Sequence, residues 1–158
     1  MSTHPRSAEI AVSSHLEATP ADVWDRVITP EGIRDEMHPY LRMTIPAGVE
    51  RLDPESIEIG KKIGRSWILL FGLFPFDYDD ITLVSLDPGR GFLERSKMLS
   101  QRVWEHERTL EPTPEGGCLI ADRVSWQPRF GLPGRPLRPV IGWFFRHRHK
   151  RLRRHFSG

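Results

Sequence analysis

The stretch Pro139-Val-Ile-Gly-Trp-Phe-Phe-Arg-His-Arg-His-Lys-Arg-Leu-Arg-Arg-His-Phe156 decides how this chain is read, because it is the one long segment with helical spacing. At 100° per residue, Ile141, Phe144, Phe145, Leu152 and Phe156 share one apolar stripe. Arg148 falls within that stripe, His149 and His155 sit near its two edges, and Arg146, Lys150, Arg153 and Arg154 lie opposite. Its 18 residues, at a rise of ~1.5 Å each, make a helix about 27 Å long, enough to cross several strands. An arginine on the buried face requires a carboxylate partner or a ligand anion, and Asp122 and Glu94 are the candidates. Trp143 projects on the polar side, either as an isolated exposed aromatic or as part of a dimer or membrane contact.

Everything before this helix reads as a sheet that needs a cover. Ala8 to Ala18 alternates, with Ile10, Val12, Ser14 and Leu16 on one side, which is the period of a half-buried strand. Thr19-Pro20-Ala21-Asp22 then starts a short helix: Thr19 caps free N–H groups, Pro20 suits the first position, and Asp22 favours the positive end. Thr29-Pro30-Glu31 repeats the signal and starts a second helix running towards Met37. From Met43 onward, turn residues punctuate strands expected at 43–52, 56–60, 63–73, 78–86, 91–98, 103–112 and 117–127. No helix-length gap separates them, so the sheet is an antiparallel meander. Pro128 to Pro139 is a loop rich in Pro, Gly and Arg. The apolar side of the sheet must be covered, and the long helix is the only element large enough.

Residues 1–158 are expected to form a single domain, with 1–7 a loose N-terminus, because the length suits one core and no linker divides it. With 38% hydrophobic and 28% charged residues, the composition is that of a soluble globular protein. No basic start leads into an apolar run, and Trp67 to Phe74 falls far short of a spanning segment, so no stable membrane insertion is expected. The lone cysteine, Cys118, argues against a disulfide framework, and a cytoplasmic setting is the expectation. The net charge of +2 conceals an asymmetry: residues 129–158 carry nine bases and no acid, whereas 1–128 carry 14 bases against 21 acids. That basic end is read as a solvated helix face, or else as a patch for an anionic membrane or nucleic acid. No nucleic-acid-binding signature accompanies it, so no nucleic-acid partner is expected.

Alternation also selects the candidate chemistry. On 103–112, Trp104, His106, Arg108 and Leu110 share a face; on the next strand, Cys118, Ile120, Asp122, Val124 and Trp126 do. These apolar faces point inward and carry His106, Arg108 and Asp122 with them. A loop at 112–116 pairs His106 with Asp122, and a loop at 113–117 pairs Arg108 with Asp122; both preserve the faces. His106, oriented by Asp122, is a candidate general acid or base, and the same pair also reads as a satisfied structural contact. His147 and His149 lie about 200° apart on a helix, so no metal site is read there, and no glycine-rich phosphate loop is present. No cofactor is expected.

Ala18-Thr-Pro-Ala-Asp-Val-Trp24, Thr29-Pro-Glu-Gly-Ile33, Trp104-Glu-His106, Gly116-Gly-Cys-Leu-Ile-Ala-Asp122-Arg-Val124 and the Arg-His-Arg-His-Lys-Arg-Leu helix together resemble the START/Bet v 1-like (SRPBCC) superfamily. The resemblance covers nearly the whole chain and is greatest to its bacterial polyketide-cyclase/dehydrase-like and ligand-binding branch. It implies an α+β helix-grip fold, with a curved antiparallel sheet, two short helices and a long C-terminal helix over a cavity. It also implies that the cavity holds an apolar or amphipathic molecule, lipid- or polyketide-like. Trp67-Ile-Leu-Leu-Phe-Gly-Leu-Phe-Pro-Phe76 has no polar side: it is a doubly buried strand, or Trp67, Phe71, Phe74 and Phe76 line the cavity or its mouth, or one face is a dimer contact. The remaining candidate ligand contacts are Trp104, His106, Arg108, Asp122, Trp126 and Arg148. Three functions follow in order: a binding protein; a cyclase or dehydratase using His106; and a basic-helix interaction protein.

Overall fold

Alternating apolar and polar residues set seven strands into one antiparallel sheet in the computed structural model, which describes residues 8–49 and 54–157. In chain order the elements are β1 (Ala8–Leu16), α1 (Pro20–Val27), α2 (Pro30–Met37), β2 (Leu41–Met43), β3 (Lys62–Leu70), β4 (Phe74–Asp87), β5 (Gly91–Met98), β6 (Gln101–Pro112), β7 (Cys118–Pro128) and α3 (Arg138–Phe156). Across the sheet the order is β1-β7-β6-β5-β4-β3-β2, so only β1 leaves sequence order, returning to pair with β7. Register shifts at Ile68/Leu69, Leu83/Ser85 and Gln101/Val103 add the local twist that curls the sheet around α3. This is the helix-grip arrangement. No helix among the described residues is long and apolar enough to cross a membrane.

Both short helices start on the expected threonines. Thr19 accepts the N–H of Asp22 at 3.2 Å, and Thr29 accepts that of Gly32 at 3.1 Å. Gly32 lets α2 turn tightly off α1, since a Cβ there would lie 1.9 Å from the Arg26 carbonyl oxygen. Two apolar clusters then fill the concave side. One gathers Val23, Trp24 and Ile28 against Leu110, Ile120 and Leu152; the other gathers Ile10, Val124 and Trp126 against Phe145. Ser14, Asp122 and His149 lie between these clusters along β1, β7 and α3, so a polar layer separates them.

Three sequence expectations need correction. The strand expected at 43–52 ends at Met43, and 56–60 is not a strand; residues 50–53 lie outside the described residues, as does the segment 1–7. Pro46 brings no N–H to a ladder, and Gly48 (φ 83°) and Gly60 (φ 84°) turn the chain out of extended geometry. The apolar run 67–76 is not one strand. Phe71 (φ 54°) and Gly72 (φ 73°) reverse the chain, pairing Leu70 with Phe74, so the run is the two legs and tip of a hairpin. Trp143 is not isolated either: it packs edge-on against Tyr40 at 4.7 Å and stacks on His147 at 6.0 Å.

Gly32→Ala tests the packing of the two short helices. Alanine normally gains helix propensity over glycine, but the clash with Arg26 reverses the sign here. Urea denaturation is expected to give a loss of about 1–3 kcal/mol, the range of overpacked sites.

Candidate functional site

The register of β6 against β7 organises the site. Arg108 stands directly opposite Asp122 and His106 opposite Val124, which selects the loop at 113–117 over the alternative. His106 nonetheless reaches Asp122 along the diagonal of the sheet, with Nε2 2.7 Å from Oδ1. Both proposed partners therefore meet the same carboxylate. Arg108 donates to Oδ1 through Nε and to Oδ2 through Nη2, each at 2.8 Å, and the fourth donor is His149 Nε2, 2.8 Å from Oδ2. Two oxygens accepting four hydrogen bonds satisfy a carboxylate completely.

The network continues outward in two directions. His149 Nδ1 lies 2.8 Å from the Ser14 hydroxyl, which accepts from Arg153 Nη1 at 2.8 Å. Every group is satisfied when His149 donates from Nε2 to Asp122 and Ser14 donates to Nδ1. On the other side, Arg108 Nη1 and Nη2 grip Glu36 at 3.1 and 2.8 Å, so four of its five N–H bonds are spent on two carboxylates. Arg148 meets the same Glu36 at 3.2 Å and lies 5.0 Å over the Phe145 ring.

Electrostatics follow from this pairing. Burial raises the Asp122 carboxyl, but the charge of Arg108, then that of His106, together with their hydrogen bonds, holds it well below its ordinary value. Burial likewise raises Glu36, and the charges of Arg108 and Arg148 outweigh it. Arg108 is shifted upward, its burial overcome by Asp122 and Glu36.

A cavity of about 460 Å³ lies beside this network, between the sheet, α2 and α3. His106, Arg108 and Arg148 reach its wall, as do Trp104 and Phe76. Asp122 does not: it is fully buried behind Arg108 and His106. Trp126 is core, with Nε1 donating to the Gly134 carbonyl at 2.9 Å. Trp67, Phe71 and Phe74 do not line the cavity; they are 42%, 58% and 63% exposed on the outer side and tip of the β3–β4 hairpin. The alternation of β3 explains this, since Ser66 and Ile68 take the inward positions. The expected partners of Arg148, Asp122 and Glu94, are replaced by Glu36. Glu36 carried a legible signal, because Ile33, Glu36 and Met37 occupy one face of a short helix. His149 likewise follows the Phe145–Leu152 stripe. No group of three His, Cys, Asp or Glu among the described residues is arranged to hold a metal ion.

Chemically, the wall combines a histidine held by an ionised aspartate, a guanidinium over an aromatic ring, and otherwise apolar side chains. With Nε2 of His106 engaged by Asp122, Nδ1 is the nitrogen left to exchange a proton or bond a ligand.

A family model described as Domain of unknown function (DUF8410) matches residues 14–156. No curated protein sequence matches the chain. Among solved structures, the chain is similar to a START superfamily protein from Mycobacterium smegmatis, at 10% identity and a TM-score of 0.69 over 94% of this chain and 97% of that one. It is similar to Ara h 8.0201 at 12% identity and a TM-score of 0.62, covering 96% and 98% of the two chains. It also matches DynU16, from the dynemicin biosynthetic locus, at 18% identity and a TM-score of 0.60; 94% of this chain aligns, spanning 47% of DynU16. At these identities the shared property is the fold, which is START/Bet v 1-like.

Two outcomes check the network. Asp122→Asn leaves Arg108 half-paired in the interior and is expected to cost about 3–5 kcal/mol in urea denaturation. Stability should also fall in acid. Asp122 and Glu36 have folded pKa values below their ordinary 3.8 and 4.5, so their contribution is complete above those values and is lost as pH falls towards the folded ones. Asp79, shifted the opposite way, offsets part of that loss. Denaturation midpoints between pH 7 and 3 should decline below about pH 4.5, more shallowly in Glu36→Gln.

Proposed function

This chain belongs to the family described as Domain of unknown function (DUF8410), and we propose that it holds an apolar or amphipathic small molecule in the cavity between sheet and helices. The observation that carries this reading is the cavity itself. Its volume of about 460 Å³ falls in the ~300–1,000 Å³ range of small-molecule sites, and its wall is apolar apart from a few convergent polar groups. His106, Arg108 and Arg148 are the polar contacts on one part of that wall, and Asp122 and Glu36 hold them in position from behind. Fixed by their own partners, these side chains lose little freedom when a ligand arrives. The START/Bet v 1-like fold supports the same reading by analogy.

A second reading is supported by the Asp122–His106 contact: an enzyme of the cyclase or dehydratase kind, with His106 moving a proton on a polyketide-like substrate. Similarity to DynU16 favours that substrate class by analogy only.

Uptake of an apolar fluorescent probe, competed by lipids and aromatic polyketides, tests the binding reading. Ile33→Trp, which adds bulk to the α2 side of the cavity, should abolish uptake with little change in melting temperature. His106→Gln separates the two readings: loss of turnover with retained ligand affinity marks an enzyme, whereas unchanged behaviour towards every turned-over substrate removes that role.

A further inference from the structure

A second polar region of the cavity wall has no part in the His106–Asp122 network. Asp77 and Asp79 on β4, Glu94 on β5 and Gln101 at the start of β6 all line the cavity, and each is at least nine-tenths buried. Asp77 is satisfied: it accepts the N–H groups of Tyr78 and Ser100 at 2.8 and 3.1 Å, and the Ser100 hydroxyl. Glu94 accepts the Ser96 hydroxyl at 2.7 Å. Asp79 Oδ1 and Gln101 Oε1, by contrast, have no hydrogen-bond partner.

The orientation of Gln101 is dictated by its neighbours. Its Nε2 donates to Ser100 Oγ at 3.2 Å, and the Ser100 proton is already given to Asp77. Turning the amide over would set two acceptors against each other, so Oε1 must face away from Ser100. Both unpartnered atoms are therefore acceptors, and both call for a donor.

Charge narrows the kind of donor. Among the described residues no Lys or Arg forms an ion pair with Asp77, Asp79 or Glu94, while Arg108 and Arg148 are committed to Glu36 and Asp122. Burial, then the charge and hydrogen bond of Glu94, push the Asp79 carboxyl well above its ordinary value, the effect of two buried carboxyl groups side by side. A metal ion is not the answer, as no three ligating side chains here converge on one point. A hydroxyl supplies one donor and no charge, and a carboxylate supplies neither. An ammonium supplies three donors and the missing charge. The rest of the wall nearby is apolar, including Ile68, Ile81, Leu83 and Met98.

We infer that the cavity ligand carries a protonated amine, seated against Asp79, Glu94 and Gln101, with its apolar body in the remainder of the cavity. This rests on the cavity being a ligand site. The test uses the full chain at pH 7 with decylamine and decanol, below their aggregation limits, each displacing an uncharged fluorescent probe. Decylamine should bind at least about tenfold more tightly than decanol. Asp79→Asn and Glu94→Gln should each cut that advantage below about threefold, with the affinity for decanol held within about twofold. Thermal melts establish that the variants fold, and Glu94→Gln keeps the comparison decisive if Asp79→Asn does not. Equal affinity for amine and alcohol, or an amine advantage that survives in the folded variants, overturns this inference alone. Failure of the probe, amine and alcohol all to bind overturns the cavity reading with it.

Discussion

A carboxylate in the middle of a protein interior survives only when donors and positive charge surround it, and Asp122 sets that requirement for this chain. Its four hydrogen bonds come from two residues of β6 and one of α3, and through Arg108 and His149 the constraint extends to α2 and β1. The long helix is thus held by more than its apolar stripe. Sliding it by one residue would remove His149 from Asp122, and moving α2 would strip Glu36 from two guanidinium groups. Apolar burial supplies the main driving force, whereas the polar layer admits few alternative positions for the helices.

The same layer explains why the cavity wall is chemically uneven. Where Arg108 and Arg148 reach the wall, their charges are already matched by Glu36 and Asp122. Where Asp79, Glu94 and Gln101 reach it, acceptors outnumber donors. The donor-poor part draws on β4, β5 and the start of β6, the matched part on the middle of β6 and on α3. A ligand entering this cavity meets guanidinium and imidazole groups held by their own carboxylates on one part and carboxyl and amide oxygens short of donors on another. Shape and apolar contact alone do not describe such a site.

Residue alternation made much of this legible. The inward placement of His106, Arg108 and Asp122 followed from period two on strands that also carry Trp104, Ile120 and Trp126, and the structure keeps those faces. The register did not follow, because a shift of the loop by one residue at each end keeps every face and changes only the partners. Arg148 was legible as a buried arginine from its place in the stripe, but which carboxylate it meets was not. Glu36 lies 112 residues away in sequence, and only the packing of α2 on α3 joins them. The aromatic hairpin departs from the strand expected at 63–73 for a local reason: Phe71 adopts a left-handed turn conformation rarely taken by bulky residues, so nothing but Gly72 signals a reversal there.

The sequence by itself determined the first strand, the two threonine-capped helices, the antiparallel strands and closing helix that follow, and the inward faces of β1, β6 and β7. Those properties depend on neighbours within a few residues, through capping, turn geometry and period. Tertiary structure decided which loop closes β6 onto β7, that Asp122 serves four donors, that Glu36 lies between two arginines, and that Asp79 and Gln101 line the cavity each with one oxygen lacking a donor. These depend on distances between segments remote in the chain. Local periodicity directs a side chain inward; only the packed fold determines what it meets there.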